Sequence, residues 1–173
     1  MIHLYHGEGK GKTTAAIGLS VRALGNGIPV VFVQFLKSRN AGEVKMLEKL
    51  GAKVLRGKSC GKFTFQMSDE EKKSTRKISV SNFNRALEIC SVLSKKNQVL
   101  LVLDEICAAW NCNMVDKVES EYLVTNPPEN VEIVLTGRNP PEVFLRKADY
   151  VTEMKKEKHP YDSGILARKG IEF

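Results

Sequence analysis

The sequence predicts an α/β domain of three layers, α-β-α, around a mainly parallel central sheet. Three observations carry this. Strand-like and helix-like segments alternate along the chain, the pattern of a sheet built from strand–helix–strand units. The runs Val30-Val31-Phe32-Val33-Gln34-Phe35 and Val99-Leu100-Leu101-Val102-Leu103 are almost unbroken apolar stretches, as strands covered on both faces require. The first strand-like stretch, Ile2-His3-Leu4-Tyr5, leads directly into H-G-E-G-K-G-K-T-T, a glycine- and lysine-rich loop opening a helix.

Each element has its own signal. Residues 2–6 read as a strand, and 12–25 as a helix stopped by Gly25-Asn26-Gly27. The strand at 30–35 is followed by a helix over 42–50 that stops at Gly51, then by a short strand at Lys53-Val54-Leu55. Ser68-Asp69-Glu70-Glu71 has capping-box spacing and opens a long helix, about 68–96, on which Ile78, Phe83, Leu87, Cys90 and Leu93 recur at helical intervals. Residues 99–103 form the most apolar run and are placed at the centre of the sheet. A helix near 115–124 breaks at Pro127-Pro128, and Val131–Thr136 is a strand. Asn139-Pro140 is read as the cap and first turn of a short helix, and Tyr150–Met154 as the last strand. Ligands in such sheets sit beyond the C-terminal strand ends, which points to the loops 6–13, 36–42, 56–68, 104–113 and 136–141.

Bulk properties set the limits. A chain of 173 residues is expected to form one domain, 1–173. Its apolar content of 42% and charged content of 27% are ordinary for a soluble protein. No apolar run approaches the roughly 20 residues of a membrane span, and neither signal peptide nor presequence is evident, so a cytoplasmic protein without a membrane partner is expected. The net charge of +7 suits an anionic ligand. The four cysteines, Cys60, Cys90, Cys107 and Cys112, contain no C-x-x-C pair and read as free thiols rather than zinc ligands.

The glycine loop is the chemical signature. The phosphate-loop pattern is G-x-x-x-x-G-K-[ST]. Counting back from Gly11-Lys12-Thr13, the first glycine falls at His6, and glycine arrives one place later, at Gly7. His6 is harmless there provided its backbone needs no positive φ. Gly7, Gly9 and Gly11 let backbone amides approach phosphate oxygens, Lys12 and Lys10 supply positive charge, and Thr13 offers a hydroxyl to Mg²⁺ (or Mn²⁺) at a helix N-terminus. Glu8 and Thr14 complete the candidate nucleotide-binding set. Leu100–Leu103 followed by Asp104-Glu105 has the form of a metal-binding strand, from which Asp104 or Glu105 would reach the ion directly or through water. Loop and acidic strand together specify a P-loop NTPase (RecA-like) fold that binds a nucleoside triphosphate. Lys12, Thr13 and Glu105 are the candidate catalytic residues, and Thr13, Asp104 and Glu105 the candidate metal ligands. Gln34, Lys37 and Arg138 end strands at the same edge and are further candidates for the substrate cleft.

Nearly the whole chain resembles the P-loop-type ATP:corrinoid adenosyltransferases. The resemblance is carried by G-E-G-K-G-K-T-T-A-A-I-G (7–18), V-Q-F-L-K (33–37), K-F-T-F (62–65), V-L-D-E (102–105), L-T-G-R-N-P-P (135–141), A-D-Y-V-T-E-M (148–154) and K-H-P-Y-D-S-G-I-L-A-R-K-G-I-E-F (158–173). The last three blocks are the specific ones, and the late first glycine is itself a trait of the family. The resemblance implies that ATP donates its 5′-deoxyadenosyl group to the cobalt(I) of a reduced corrinoid, such as cobalamin or a precursor, with triphosphate leaving. It implies that Phe63 and Phe65 pack against the corrin and displace its lower axial ligand. Related proteins often have Trp at the second place, so Phe65 keeps apolar bulk but lacks the indole N–H. It further implies a reduced flavoprotein as electron donor and a homodimer, and leaves His159 as a possible site residue. This chain begins at its first strand, where longer relatives carry a leader, so the expectation is either a more open corrinoid pocket or another segment or subunit that covers it. Two rivals follow from the loop and charge alone. A P-loop nucleoside kinase would use Glu105 as base and form ADP. A nucleic-acid-linked ATPase would need DNA-binding loops and clustered cations, whereas here the cations are dispersed; no nucleic-acid partner is expected.

Overall fold

The computed structural model of the chain describes residues 1–37, 42–57 and 64–171. Six strands form one sheet: β1 (Ile2–His6), β2 (Val30–Gln34), β3 (Lys53–Arg56), β4 (Val99–Asp104), β5 (Val131–Gly137) and β6 (Tyr150–Glu153). Their order is β3-β2-β4-β5-β1-β6, and every neighbouring pair is parallel. The apolar run at 99–103 is central, as its composition requires, and all of β4 is buried. Because the strands are parallel, their C-terminal ends lie along one edge. Register places Gln34 beside Asp104, and His6 between Gly137 and Glu153.

The helices are α1 (Lys12–Gly25), α2 (Gly42–Lys49), α3 (Asp69–Leu93), α4 (Ile106–Asn111), α5 (Lys117–Thr125) and α6 (Glu142–Lys147), with 3-10 turns at Thr64–Gln66 and Pro160–Ser163. Side chains alternate across the sheet. Val30, Phe32, Leu100, Val102 and Val134 face α1 and α2 through Ala16, Ala23 and Leu47. Val31, Val33, Leu101, Leu103, Ile133 and Leu135 face the other layer, meeting Phe83 and Cys90 of α3, Leu123 of α5 and Phe144 of α6. The result is the expected three-layer α/β architecture.

Helix ends follow local chemistry. Ser68 and Glu71 form a reciprocal capping box at the start of α3. The end of α1 is closed by Gly27 N–H donating to Leu24 O and Ile28 N–H donating to Ala23 O, both at 3.0 Å, with Gly27 at φ 74°. That pair of bonds needs a left-handed residue at Gly27, which glycine supplies without strain. Two elements differ from expectation. Asn139-Pro140 does not start a helix: Asn139 sits at φ 48° in a turn, and α6 begins after Pro141. The ring of Pro141 disfavours a helical Pro140, moving the start two residues on. The segment expected as a loop at 104–113 contains α4, whose Ile106, Cys107 and Ala109 are buried.

Candidate nucleotide site

Strand β1 ends at His6, which keeps φ out of the left-handed region, and Gly7 makes the turn at φ 106°. The sequence irregularity therefore has no backbone consequence. Gly7 and Gly9 are needed for close approach. A Cβ on Gly7 would lie 2.5 Å from Met154 O, and one on Gly9 would lie 2.5 Å from Lys155 O. The chain leaving β6 thus buttresses the loop, with Gly9 N–H donating to Met154 O at 2.6 Å and Met154 N–H to His6 O at 2.7 Å.

Lys12 opens α1 and is 7% exposed. Its ammonium donates to Gly7 O at 2.6 Å and Gly9 O at 2.7 Å, gathering the loop around it. Burial, followed by the neighbouring Arg138 charge, pulls its pKa below the usual lysine value, while Glu105, Glu8 and Asp104 oppose that pull.

Asp104, 0% exposed at the end of β4, is the hub. Its Oδ1 accepts from Thr13 Oγ1 at 2.9 Å and Thr136 Oγ1 at 2.8 Å. Its Oδ2 accepts from Lys37 Nζ at 2.8 Å and Gln34 Nε2 at 3.4 Å. Lys37 Nζ also donates to Thr13 Oγ1 at 2.9 Å. Residues from β2, α1, β4 and β5 therefore meet on one carboxylate, and four donors stabilise its charge. Glu105 follows in the left-handed conformation, φ 63°, with its N–H bonded to Thr136 Oγ1 at 2.9 Å. Burial and the adjacent Asp104 charge raise its carboxyl pKa. Thr136 was not singled out from sequence. Its signal was a hydroxyl residue ending an apolar strand at the ligand edge.

A cleft of about 570 Å³ opens above this cluster. It is lined by Glu8, Gly9, Lys10, Gly11, Lys12, Thr13 and Thr14, and by Lys37, Glu105 and Arg138 from other loops. Gln34 lies beneath it, bonded to Asp104. Arg138 and Glu8 form a 3.0 Å ion pair, both more than half exposed. The C-terminal segment also reaches the cleft, through His159, Ala167, Gly170 and Ile171. His159 Nδ1 accepts from Tyr161 N–H at 3.2 Å, so a neutral ring carries its proton on Nε2. Phe65 lies elsewhere, 80% exposed in the 3-10 turn, at a groove of about 480 Å³ shared with Lys72, Lys73 and Arg76. Phe63 lies outside the described residues.

Cys107 is buried, and burial pushes its thiol up to about 12. Among the described residues, no three His, Cys, Asp or Glu side chains gather to hold a metal.

A glycine loop opening a helix, a buried lysine, and a threonine hydroxyl bonded to an aspartate at the end of a parallel strand define a P-loop nucleotide-binding protein. A profile of the family described as ATP:corrinoid adenosyltransferase BtuR/CobO/CobP matches residues 1–173, and the chain belongs to that family. It is 36% identical over 172 residues to a corrinoid adenosyltransferase of Sinorhizobium sp, covering 96% of this chain and 77% of that protein. A corrinoid adenosyltransferase of Pseudomonas aeruginosa is 31% identical over 98% of this chain and 82% of its own. The corrinoid adenosyltransferase CobA of Salmonella typhimurium is 30% identical over 100% of this chain and 85% of its own.

Proposed function

We propose that this enzyme transfers the 5′-deoxyadenosyl group of ATP to the cobalt(I) of a reduced corrinoid. The C5′–O bond breaks, a cobalt–carbon bond forms with the cobalt electron pair, and triphosphate leaves with the electrons of the broken bond. The observation carrying this reading is a complete phosphate loop, backed by Asp104, in a chain matched from end to end by the adenosyltransferase family.

The protein's part is positioning and charge neutralisation. The loop amides of 7–13 cradle the triphosphate, apart from the Gly9 N–H, which Met154 O holds. Lys12 stands at its centre, and Lys10 and Arg138 line the rim. These cations stabilise negative charge that grows on the leaving group, which lowers the barrier to C5′–O cleavage. The substrate metal is the nucleophile, so the reaction asks for no side-chain nucleophile, and the buried, protonated Cys107 is in keeping with that.

Mg²⁺ (or Mn²⁺) suits the donor set. The Thr13 hydroxyl and the Asp104 and Glu105 carboxylates are hard oxygens, and Gln34 Oε1 is a buried acceptor with no hydrogen-bond partner in the protein. When bound, the ion would shield the triphosphate and fix its orientation. Thr13 and Asp104 would hold it, with Glu105 acting directly or through water.

Phe65, exposed on its turn, supports a role against the corrin face, paired with Phe63. The basic side chains around its groove suit the polar periphery of such a ligand. We read 1–173 as one catalytic domain acting as a cytoplasmic homodimer, supplied with electrons by a reduced flavoprotein. Among the described residues no helix is long and apolar enough to cross a membrane. Anaerobic incubation with ATP, Mg²⁺ and chemically reduced cobalamin tests the reading. A light-sensitive cobalt–carbon product is expected, and its absence refutes adenosyl transfer.

A further inference from the structure

We propose that Lys37 is a tethered cation sharing one seat with the divalent metal, so that metal entry displaces its ammonium from between Thr13 and Asp104 and turns it into the phosphate cleft. This rests on the reading that Thr13 and Asp104 hold the metal.

Lys37 Nζ is 2.9 Å from Thr13 Oγ1 and 2.8 Å from Asp104 Oδ2, bridging the two groups that would hold the metal. The Thr13 hydroxyl spends its proton on Asp104 Oδ1, so what it offers Lys37 is a lone pair, the same resource a metal would use. A cation bonded to both groups would have to enter the gap the ammonium spans, and like charges exclude each other there. The backbone is shaped for this placement. Leu36 adopts φ 56°, a left-handed conformation unfavourable for leucine, two residues past the end of β2. Such an outlier, beside a charged residue folded back onto a buried carboxylate, marks a functional constraint. Lys37 is also only partly enclosed. Its side chain is 33% exposed against 0% for Asp104, and it already lines the cleft beside Lys12 and Arg138. Lys12, by contrast, is pinned by two loop carbonyls. Exchange of the ammonium for the metal would keep Asp104 neutralised at every stage and add one more positive group facing the triphosphate.

The test is Mn²⁺ binding to the nucleotide-free full chain, read by the electron paramagnetic resonance signal of free Mn²⁺. Lys37→Met removes the competing cation, and Lys37→Gln does so while keeping a donor for Asp104, should the first variant fold poorly. Both are expected to bind Mn²⁺ tenfold to a hundredfold more tightly than the unsubstituted protein, the range of a lost charge-assisted hydrogen bond. Lys37→Arg should remain weak, and adding Asp104→Asn to Lys37→Met should abolish the gain. Equal Mn²⁺ affinity of the Met, Gln and unsubstituted proteins overturns the proposal. Binding of MnATP to the Asp104→Asn variant separates the two ways of failing. If it is weakened while the Lys37 variants are unchanged, the metal site stands and the shared seat falls. If it is unchanged, the placement of the metal falls as well.

Discussion

Replacing Thr136 by valine probes the carboxylate hub without changing side-chain shape. The hydroxyl donates to Asp104 Oδ1 at 2.8 Å and accepts from Glu105 N–H at 2.9 Å, and Thr136 is fully buried. Valine removes a hydrogen bond to a charged group, about 1.5–3 kcal/mol, and strands the Glu105 N–H, at about 1 kcal/mol more. The loss should therefore be about 3 kcal/mol, partly offset because Thr13, Lys37 and Gln34 still serve Asp104. For a chain of this size each kcal/mol lowers the melting temperature by about 2–4 °C, so a drop of about 6–12 °C is expected in thermal unfolding. Thr136→Ser restores the hydroxyl and should recover most of it. MgATP affinity should fall in the valine variant, because Asp104 loses one of the bonds that orient it. A valine variant melting within about 2 °C of the parent would show that Thr136 is not a support of the site.

Four further outcomes follow. Lys12→Ala should abolish ATP binding in calorimetry, since it removes the buried ammonium at the centre of the loop; retained binding would mean that the triphosphate lies elsewhere. In a Cys60→Ser background, a thiol reagent at pH 8 should titrate Cys112 rapidly and reach Cys90 and Cys107 only after denaturation, because burial pushes both up to about 12 from an ordinary value of 9.0. These two thiols keep their protons in the folded protein while the unfolded chain releases them. Their contribution is therefore fully present below pH 9 and is lost as pH rises from 9 toward 12; a flat denaturation midpoint across that window would contradict their burial. Phe65→Ala should slow turnover most when cobalt(II) corrinoid is the starting material. Equal losses with cobalt(I) would assign Phe65 to packing alone.

What the sequence disclosed follows from the range over which each signal acts. The strands at 30–34 and 99–104 announce themselves because a strand buried on both faces must be apolar throughout, and the phosphate loop because its glycines answer to local steric demands. Asp104 was recognisable from its place at the end of such a strand. Its partners were harder to see. Thr13 and Lys37 reach it from 91 and 67 residues away, and Thr136 from 32, through sheet order rather than local pattern. The seat of Lys37 depends on the left-handed turn at Leu36, which leucine does not advertise. Helix α4 has six residues and starts from a left-handed Glu105 without a side-chain cap, so neither periodicity nor capping marks it. The approach of His159 and Ile171 to the cleft depends on how the chain after β6 runs past the loop, which no spacing encodes.

The most direct test of the account is the phosphorus product of a single anaerobic turnover with MgATP and reduced corrinoid, followed by ³¹P nuclear magnetic resonance. Adenosyl transfer predicts intact triphosphate in equal amount to the new cobalt–carbon bond. ADP with orthophosphate or a phosphorylated acceptor, and no triphosphate, would contradict it.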